Sequence, residues 1–220
     1  MMIKYHPTFK KIIELGSYEG YSLEWFHHQP EYYVGLEKFR ESVERSTKKW
    51  GDCQNIKFIS CEKITDVPDT FLNINFDCFI TMETLEHMPF KLAENYLAKI
   101  STLVNGYVFI TIPNESGPHM VPKFLYNCIF NNNREYSLLD LLYATFGKMN
   151  KVKGYSKRYD SFLWDNIPYF EHKGFDHMEM IDLIERYFEI LEIKGLHFPR
   201  LPLCINFTIG IVAKSKEALE

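Results

Sequence analysis

From residue 10 to residue 114 the chain repeats one pattern, a short apolar run closed by an acid or a glycine and followed by a polar or amphipathic stretch. The runs are KIIELG ending at Gly16, YYVGLEK (32–38), IKFISCE (56–62), FDCFITME (76–83) and YVFITIPN (107–114). They are too short for helices and nearly continuous in apolar residues, as expected of strands covered on both faces. SYEGYSLEWFHHQ is helix-compatible, with Leu23, Phe26 and His27 near one face, ESVERSTKKW (41–50) reads as a polar helix, and DVPDT as a turn. In FKLAENYLAKISTLV, Leu92, Tyr96, Leu97, Ile100 and Leu103 recur with helical period, and Asn105-Gly106 is expected to end that helix. Strand and helix alternating in this way predict a doubly wound α/β fold around a mostly parallel sheet.

The pattern breaks after Pro113. Residues 114–171 form an insertion rich in Asn, Tyr, Phe and Lys, which predicts a cap on a single domain spanning residues 1–220. Within it SLLDLLYATFG (137–147) reads as an amphipathic helix, either core or a lipid-facing lid, and Lys148 to Arg158 carries five basic residues and no acid. That run reads as a solvated loop or an anion site. The insertion's aromatics, Phe124, Tyr126, Tyr143, Phe146, Tyr155, Tyr159, Phe162 and Trp164, suit either stacking on a ring or the cap's own small core. MEMIDLIERYF then reads as a helix, and FEILEIKGL and INFTIGIVAK as strands joined in an antiparallel hairpin at the sheet edge.

Composition narrows the function. A formal charge of -4 argues against a general nucleic-acid binder. The five cysteines are scattered with no CxxC pair, so neither a disulfide framework nor a zinc site is expected, and a reducing cytoplasm is the natural home. No run approaches a membrane span, and Glu14 interrupts the N-terminus before a signal-peptide core can form, which leaves at most peripheral membrane contact.

Ligands of doubly wound sheets bind beyond the carboxyl ends of the strands. There the chain places Glu14, Gly16 and Gly20 after the first run, Glu37 after the second, Glu62 after the third, and Glu83, Glu86 and His87 after the fourth. Tyr18 and Tyr21 occupy the places where a dinucleotide fingerprint needs its second and third glycines, so a nicotinamide oxidoreductase is not expected. IIELGSYEG, VGLE, FDCFITMETLEHMP and NGYVFITIPN, in this order and spacing, resemble the class I S-adenosylmethionine-dependent methyltransferases, and the resemblance returns in HKGFDHMEMIDLIERYFEILEIKG and the last hairpin. It implies a seven-stranded Rossmann-like sheet with an antiparallel last strand. It also implies S-adenosylmethionine as cofactor and S-adenosylhomocysteine as product. Glu14, Gly16, Ser17, Tyr18 and Gly20 would surround the methionine part, Glu37 with Lys38 the ribose, and Glu62 with Lys63 the adenine, while Met82 and Glu83 would pass beneath the methyl donor. Tyr18 at the usual middle glycine is the chief departure from the family pattern.

Methyl transfer needs alignment and exclusion of water more than covalent chemistry, in keeping with the absence of a serine or cysteine nucleophile motif. The expected acceptor is a small molecule, sugar or lipid-linked hydroxyl, contacted mainly by the cap. His119, His172 and His177, in or beside the insertion, are the candidate bases. Glu86 and His87 are assigned to packing and helix-start electrostatics rather than to an acid–base pair. No metal is expected, because no Asp/Asn or His cluster appears. The competing expectation is an inactive cofactor-binding or protein-interaction module of the same fold.

Overall fold

The computed structural model describes residues 8–26, 28–131, 136–152 and 172–216. Seven strands form one sheet in the order β3-β2-β1-β4-β5-β7-β6. They are β1 (Lys11–Leu15), β2 (Tyr32–Glu37), β3 (Ile56–Ser60), β4 (Phe76–Met82), β5 (Val104–Pro113), β6 (Phe188–Gly195) and β7 (Thr208–Ser215). β1 to β5 pair in parallel, and β7 runs antiparallel between β5 and β6. The expected terminal hairpin is therefore present, but its first strand, β6, is the sheet edge and β7 is interior.

Alternation along each strand sorts the apolar runs onto two faces. Ile13, Leu15, Val34, Leu36, Phe79, Val108, Ile110 and Ile211 join one core with helices α3 (Phe90–Ser101) and α6 (His177–Tyr187). Ile12, Tyr33, Cys78, Ile80, Phe109 and Val212 face the other way, against Phe9 and Leu23. In α3 the buried residues Leu92, Tyr96, Leu97 and Ile100 are those the helical period selected, with Ala93 added. α6 is capped by Asp176, whose carboxylate accepts from Met178 N–H at 3.0 Å. The polar helix α1 (Arg40–Trp50) buries only Ser42 and Ser46, and a single-turn α2 (Asp69–Leu72) precedes β4.

Two local expectations fail for physical reasons. SYEGYSLEWFHHQ is not a full helix; only Tyr21–Trp25 forms a 3-10 turn, entered from Gly20 at φ 72° and left through extended Phe26. The turn aims the Ser22 hydroxyl at the Glu14 carboxylate, a bond that a continuing surface helix would not require. His27 lies outside the described residues, and His28 is exposed. Asn105-Gly106 does not cap α3, which ends at Ser101; both residues lie inside β5, where the register with β4 shifts between Phe76 and Cys78. A Cβ on Gly106 would stand 2.1 Å from the Asp77 carbonyl oxygen, so the close approach of the two backbones there requires glycine.

The described part of the insertion has a small core of its own, formed by Met120, Tyr136, Ala144, Met149 and Val152, with Phe124 and Tyr143 packed against it. It contains α4 (Met120–Tyr126), continued by a π-helical turn, and α5 (Leu138–Thr145), started by a capping box between Ser137 and Asp140. α5 leaves Leu138, Leu139 and Leu142 exposed and buries Asp140, which pairs with Lys173 at 2.8 Å. Tyr155, Tyr159, Phe162, Trp164 and most of the basic run lie outside the described residues. Among the described residues no helix is long and apolar enough to cross a membrane.

The bend between β6 and β7 is held by side-chain amides. Asn206, fully buried, accepts from Phe198 N–H at 2.7 Å and donates to the carbonyls of Phe198 and Pro202. Asn114, just past β5, donates to the carbonyls of Leu203 and Asn206. Asn206→Ala leaves these backbone groups without partners in a buried place and is expected to cost about 2–3 kcal/mol. Urea unfolding checks this, and a loss below about 0.5 kcal/mol would show the bend to be held by packing alone.

Candidate active site

The sheet order places β1 between β2 and β4, and chain connections leave these strands in opposite directions, the point at which doubly wound sheets open a crevice. A cavity of about 400 Å³ lies there. Leu15, Gly16 and Tyr18 line it from the end of β1, Leu36 to Phe39 from β2, Cys61 and Glu62 from β3, Met82 to Thr84, His87 and Met88 from β4 and the turn after it, and Leu92 and Tyr96 from α3. The wall is largely apolar, with acids at its rim.

The loop after β1 is built from residues at positive φ: Gly16 (75°), Tyr18 (46°) and Gly20 (72°). Gly16 and Ser17 N–H groups donate to the Leu36 carbonyl at 2.8 and 3.2 Å. The Tyr18 N–H donates to Glu37 Oε2 at 2.9 Å, and the Phe39 N–H to Glu37 Oε1 at 3.0 Å. Tyr18 thus takes a left-handed conformation without being glycine, and its half-exposed ring lies beside Tyr21 at the rim. A Cβ on Gly16 would fall 2.1 Å from Thr84 Oγ1, so this position admits only glycine while Thr84 stays where it is.

Of the residues assigned to the cofactor, Gly16, Tyr18, Glu37, Lys38, Glu62, Met82 and Glu83 line the cavity, and Glu14, Ser17, Gly20 and Lys63 do not. Strand alternation explains Glu14. Its neighbour Leu15 faces the cavity, while the Glu14 carboxylate is buried on the opposite face and accepts from the hydroxyls of Ser22 and Tyr33. Ser17 is buried beneath the loop against Gly35, Gly20 packs on Phe58 and Trp50, and Lys63 lies in a turn whose N–H bonds to Asp66.

The three histidine candidates separate. Both ring nitrogens of buried His119 meet backbone carbonyls, Nδ1 that of Cys204 at 2.9 Å and Nε2 that of Asn114 at 2.7 Å, which makes it a clamp on the bend rather than a free base. His177, buried at the start of α6, has Nδ1 3.5 Å from the Ser116 hydroxyl, and it is not in the cavity wall. His172 alone touches a residue of the cavity wall, its ring packing edge-on against His87 at 4.8 Å. Burial, with His87 and Lys123 nearby, holds its pKa down to about 4, so the ring is neutral near pH 7.

Glu86 and His87 differ from the sequence expectation. The α3 helix begins only at Phe90, after Pro89; Glu86 and His87 sit in a separate 3-10 turn, Leu85–His87, so they are not helix-start residues. His87 lines the cavity. The Glu86 side chain is fully buried, 3.7 Å from His87 Nε2, and neither oxygen has a hydrogen-bond partner among the described residues. Burial and then the neighbouring Glu83 push its pKa well above the ordinary carboxylate range. Glu115, fully buried, accepts from Tyr136 OH at 3.0 Å, pairs with Lys123, and stands 3.8 Å from His172 Nδ1. Glu115 had no sequence signal beyond being an acid after Pro-Asn, and the grouping of His172 with His87 depends on a contact between distant parts of the chain.

No family model and no curated protein matches the chain. Solved structures do match it. The N-methyltransferase NodS from Bradyrhizobium japonicum WM9, in complex with S-adenosylhomocysteine, shares 8% identity over 96% of this chain and 80% of its own, with a TM-score of 0.54. Magnesium protoporphyrin IX methyltransferase from Synechocystis PCC 6803, with bound S-adenosylhomocysteine, shares 10% over 96% and 76%, at 0.52. The N-terminal domain of EvdMO1, also with S-adenosylhomocysteine bound, shares 14% over 98% and 78%, at 0.57. The chain thus has the class I methyltransferase fold, seven strands with an antiparallel last one, as its motifs implied.

Burial raises the pKa of Glu14 from 4.5 to about 7, against the opposing hydrogen bonds of Ser22 and Tyr33. Between these values the folded chain holds a proton that the unfolded chain has released, so stability falls as pH rises from about 4.5 through about 7 and the loss is complete above that. Glu14→Gln keeps an acceptor for both hydroxyls and removes the titration. Its stability relative to wild type is expected to rise by about 1–3 kcal/mol between about pH 5 and pH 8. Denaturant unfolding at the two pH values decides it, and a difference that does not change with pH would contradict the assignment.

Proposed function

We propose that the chain is an S-adenosylmethionine-dependent methyltransferase acting on a hydroxyl of a small-molecule, sugar or lipid-linked acceptor. The observation that carries this reading is the carboxylate of Glu37 at the end of β2, fixed by two backbone N–H groups at the rim of a cavity large enough for a nucleoside cofactor. Each of its oxygens keeps a lone pair for a ribose hydroxyl. Glu62, one strand further, suits the adenine side, and the Gly16–Tyr18 turn brings backbone rather than side chain alongside the methionine part. When bound, S-adenosylmethionine supplies an electrophilic methyl group: a bond to the acceptor oxygen forms as the bond to sulfur breaks, sulfur keeps the electron pair, and the hydroxyl proton leaves to a base or to water. The chain's own work is to orient and to exclude water. Leu15, Leu36, Met88 and Leu92 give the cavity dry walls, so charge quenched in the transfer is not stabilised by solvent in the ground state.

On this reading the acceptor approaches at His87, the cavity-wall residue whose ring packs on His172. The formal charge of -4 disfavours nucleic acid as the acceptor. Tyr18, the departure from the family pattern, holds its turn through the N–H bond to Glu37 and keeps its ring at the rim.

Calorimetry with S-adenosylhomocysteine and S-adenosylmethionine is the test. Micromolar binding is expected, weakened at least about tenfold (~1.4 kcal/mol) in Glu37→Ala and abolished in Gly16→Ala, with NAD not bound. A folded wild-type chain that binds neither sulfur compound would overturn the proposal.

A further inference from the structure

We propose that Glu86, His87 and His172 form a binding site for a first-row divalent transition-metal ion at the acceptor side of the cleft. One donor atom from each of the three lies within 4.8 Å of the others. Ligand atoms about 2.1 Å from one cation are at most about 4.2 Å apart, so modest side-chain rotation closes the set. The second, independent observation is Glu86 itself, a carboxylate with a fully buried side chain, facing His87, and with no hydrogen-bond donor at either oxygen among the described residues. Carboxylates sealed from water are ordinarily paired, held protonated, or bound to a metal, and this one has two imidazoles in reach of a shared cation.

The surroundings favour a cation. Glu83 and Glu115 are the other carboxylates acting on Glu86, and the lysine placed among them, Lys123, is taken by Glu115. Glu115 also stands 3.8 Å from His172 Nδ1, too long for a hydrogen bond but near enough that a small shift would let it orient that ring. Two imidazoles with one carboxylate suit manganese, cobalt or zinc better than magnesium or calcium, which prefer all-oxygen shells. His87 belongs at once to this cluster and to the cavity wall, so a cation here would meet an oxygen of a bound acceptor. That last step rests on the methyltransferase reading; the cation site does not.

The probe is cobalt(II), added to the full chain after treatment with chelator and dialysis, followed by calorimetry and by the visible absorption of the bound ion. One equivalent is expected to bind, at least about tenfold more weakly in Glu86→Gln, His87→Ala and His172→Ala. Glu86→Gln keeps the buried shape, and His172 is not part of the cavity wall, so S-adenosylhomocysteine binding by His172→Ala reports that the variant is folded. No cobalt binding by wild-type chain that binds S-adenosylhomocysteine would overturn the proposal, as would equal affinity in all three variants. Cobalt binding without S-adenosylhomocysteine binding would uphold the metal site and sink the methyltransferase reading instead.

Discussion

The carboxylate of Glu37 joins the two strand ends on which the cleft is built. It receives the N–H of Tyr18 from the turn after β1 and the N–H of Phe39 from the turn before α1. Three residues of the first turn sit at positive φ, a conformation that costs a non-glycine residue such as Tyr18 on the order of 1 kcal/mol. Charge-assisted bonds from backbone N–H to carboxylate are among the stronger ones a protein makes, enough to hold that turn open. The same residue thereby forms the rim of the cavity, so the loop geometry and the site share one carboxylate side chain.

Two other acids behave differently because their surroundings differ. Glu14 is buried but meets two hydroxyl donors, which partly offset its desolvation, and it lies on the sheet face away from the cavity. Glu86 is equally buried and meets none among the described residues. Of the acids near the strand ends, then, one ties loops together, one fills a polar pocket in the second core, and one is buried beside two imidazoles without a hydrogen-bond donor among the described residues.

The doubly wound sheet was legible because each strand is an apolar run and α3 has a clean period, both consequences of burial. What was not legible followed from long-range contacts. Glu14 and Leu15 are adjacent in one motif, yet a period of two sends the Glu14 carboxylate to the sheet face away from the cavity that Leu15 lines. Asn105-Gly106 looks like a helix stop, but the bulge opposite Asp77 claims the glycine for β5. Nothing in the sequence around His119, His172 or His177 marks its role; the bend at Cys204 and the packing of His172 on His87 separate them. Glu86 and His87 were read as the start of a helix because Pro89 leaves open whether the turn before it belongs to α3.

The packing of Gly16 against Thr84 couples the two halves of the site. Thr84 directly follows Glu83, itself at φ 47° with its N–H bonded to Thr111, and begins the turn that carries Glu86 and His87. Its hydroxyl donates to the Met82 carbonyl, so its side chain is fixed against the end of β4 and has little freedom to yield. The missing Cβ at Gly16 is therefore what allows the loop after β1 and the turn after β4 to share one wall. A displacement on the β1 side would press on Thr84, whose carbonyl accepts the His87 N–H at 3.0 Å. On the proposed reading a methyl donor and its acceptor would have to be aligned across these two halves, and the Gly16–Thr84 packing is where the halves meet.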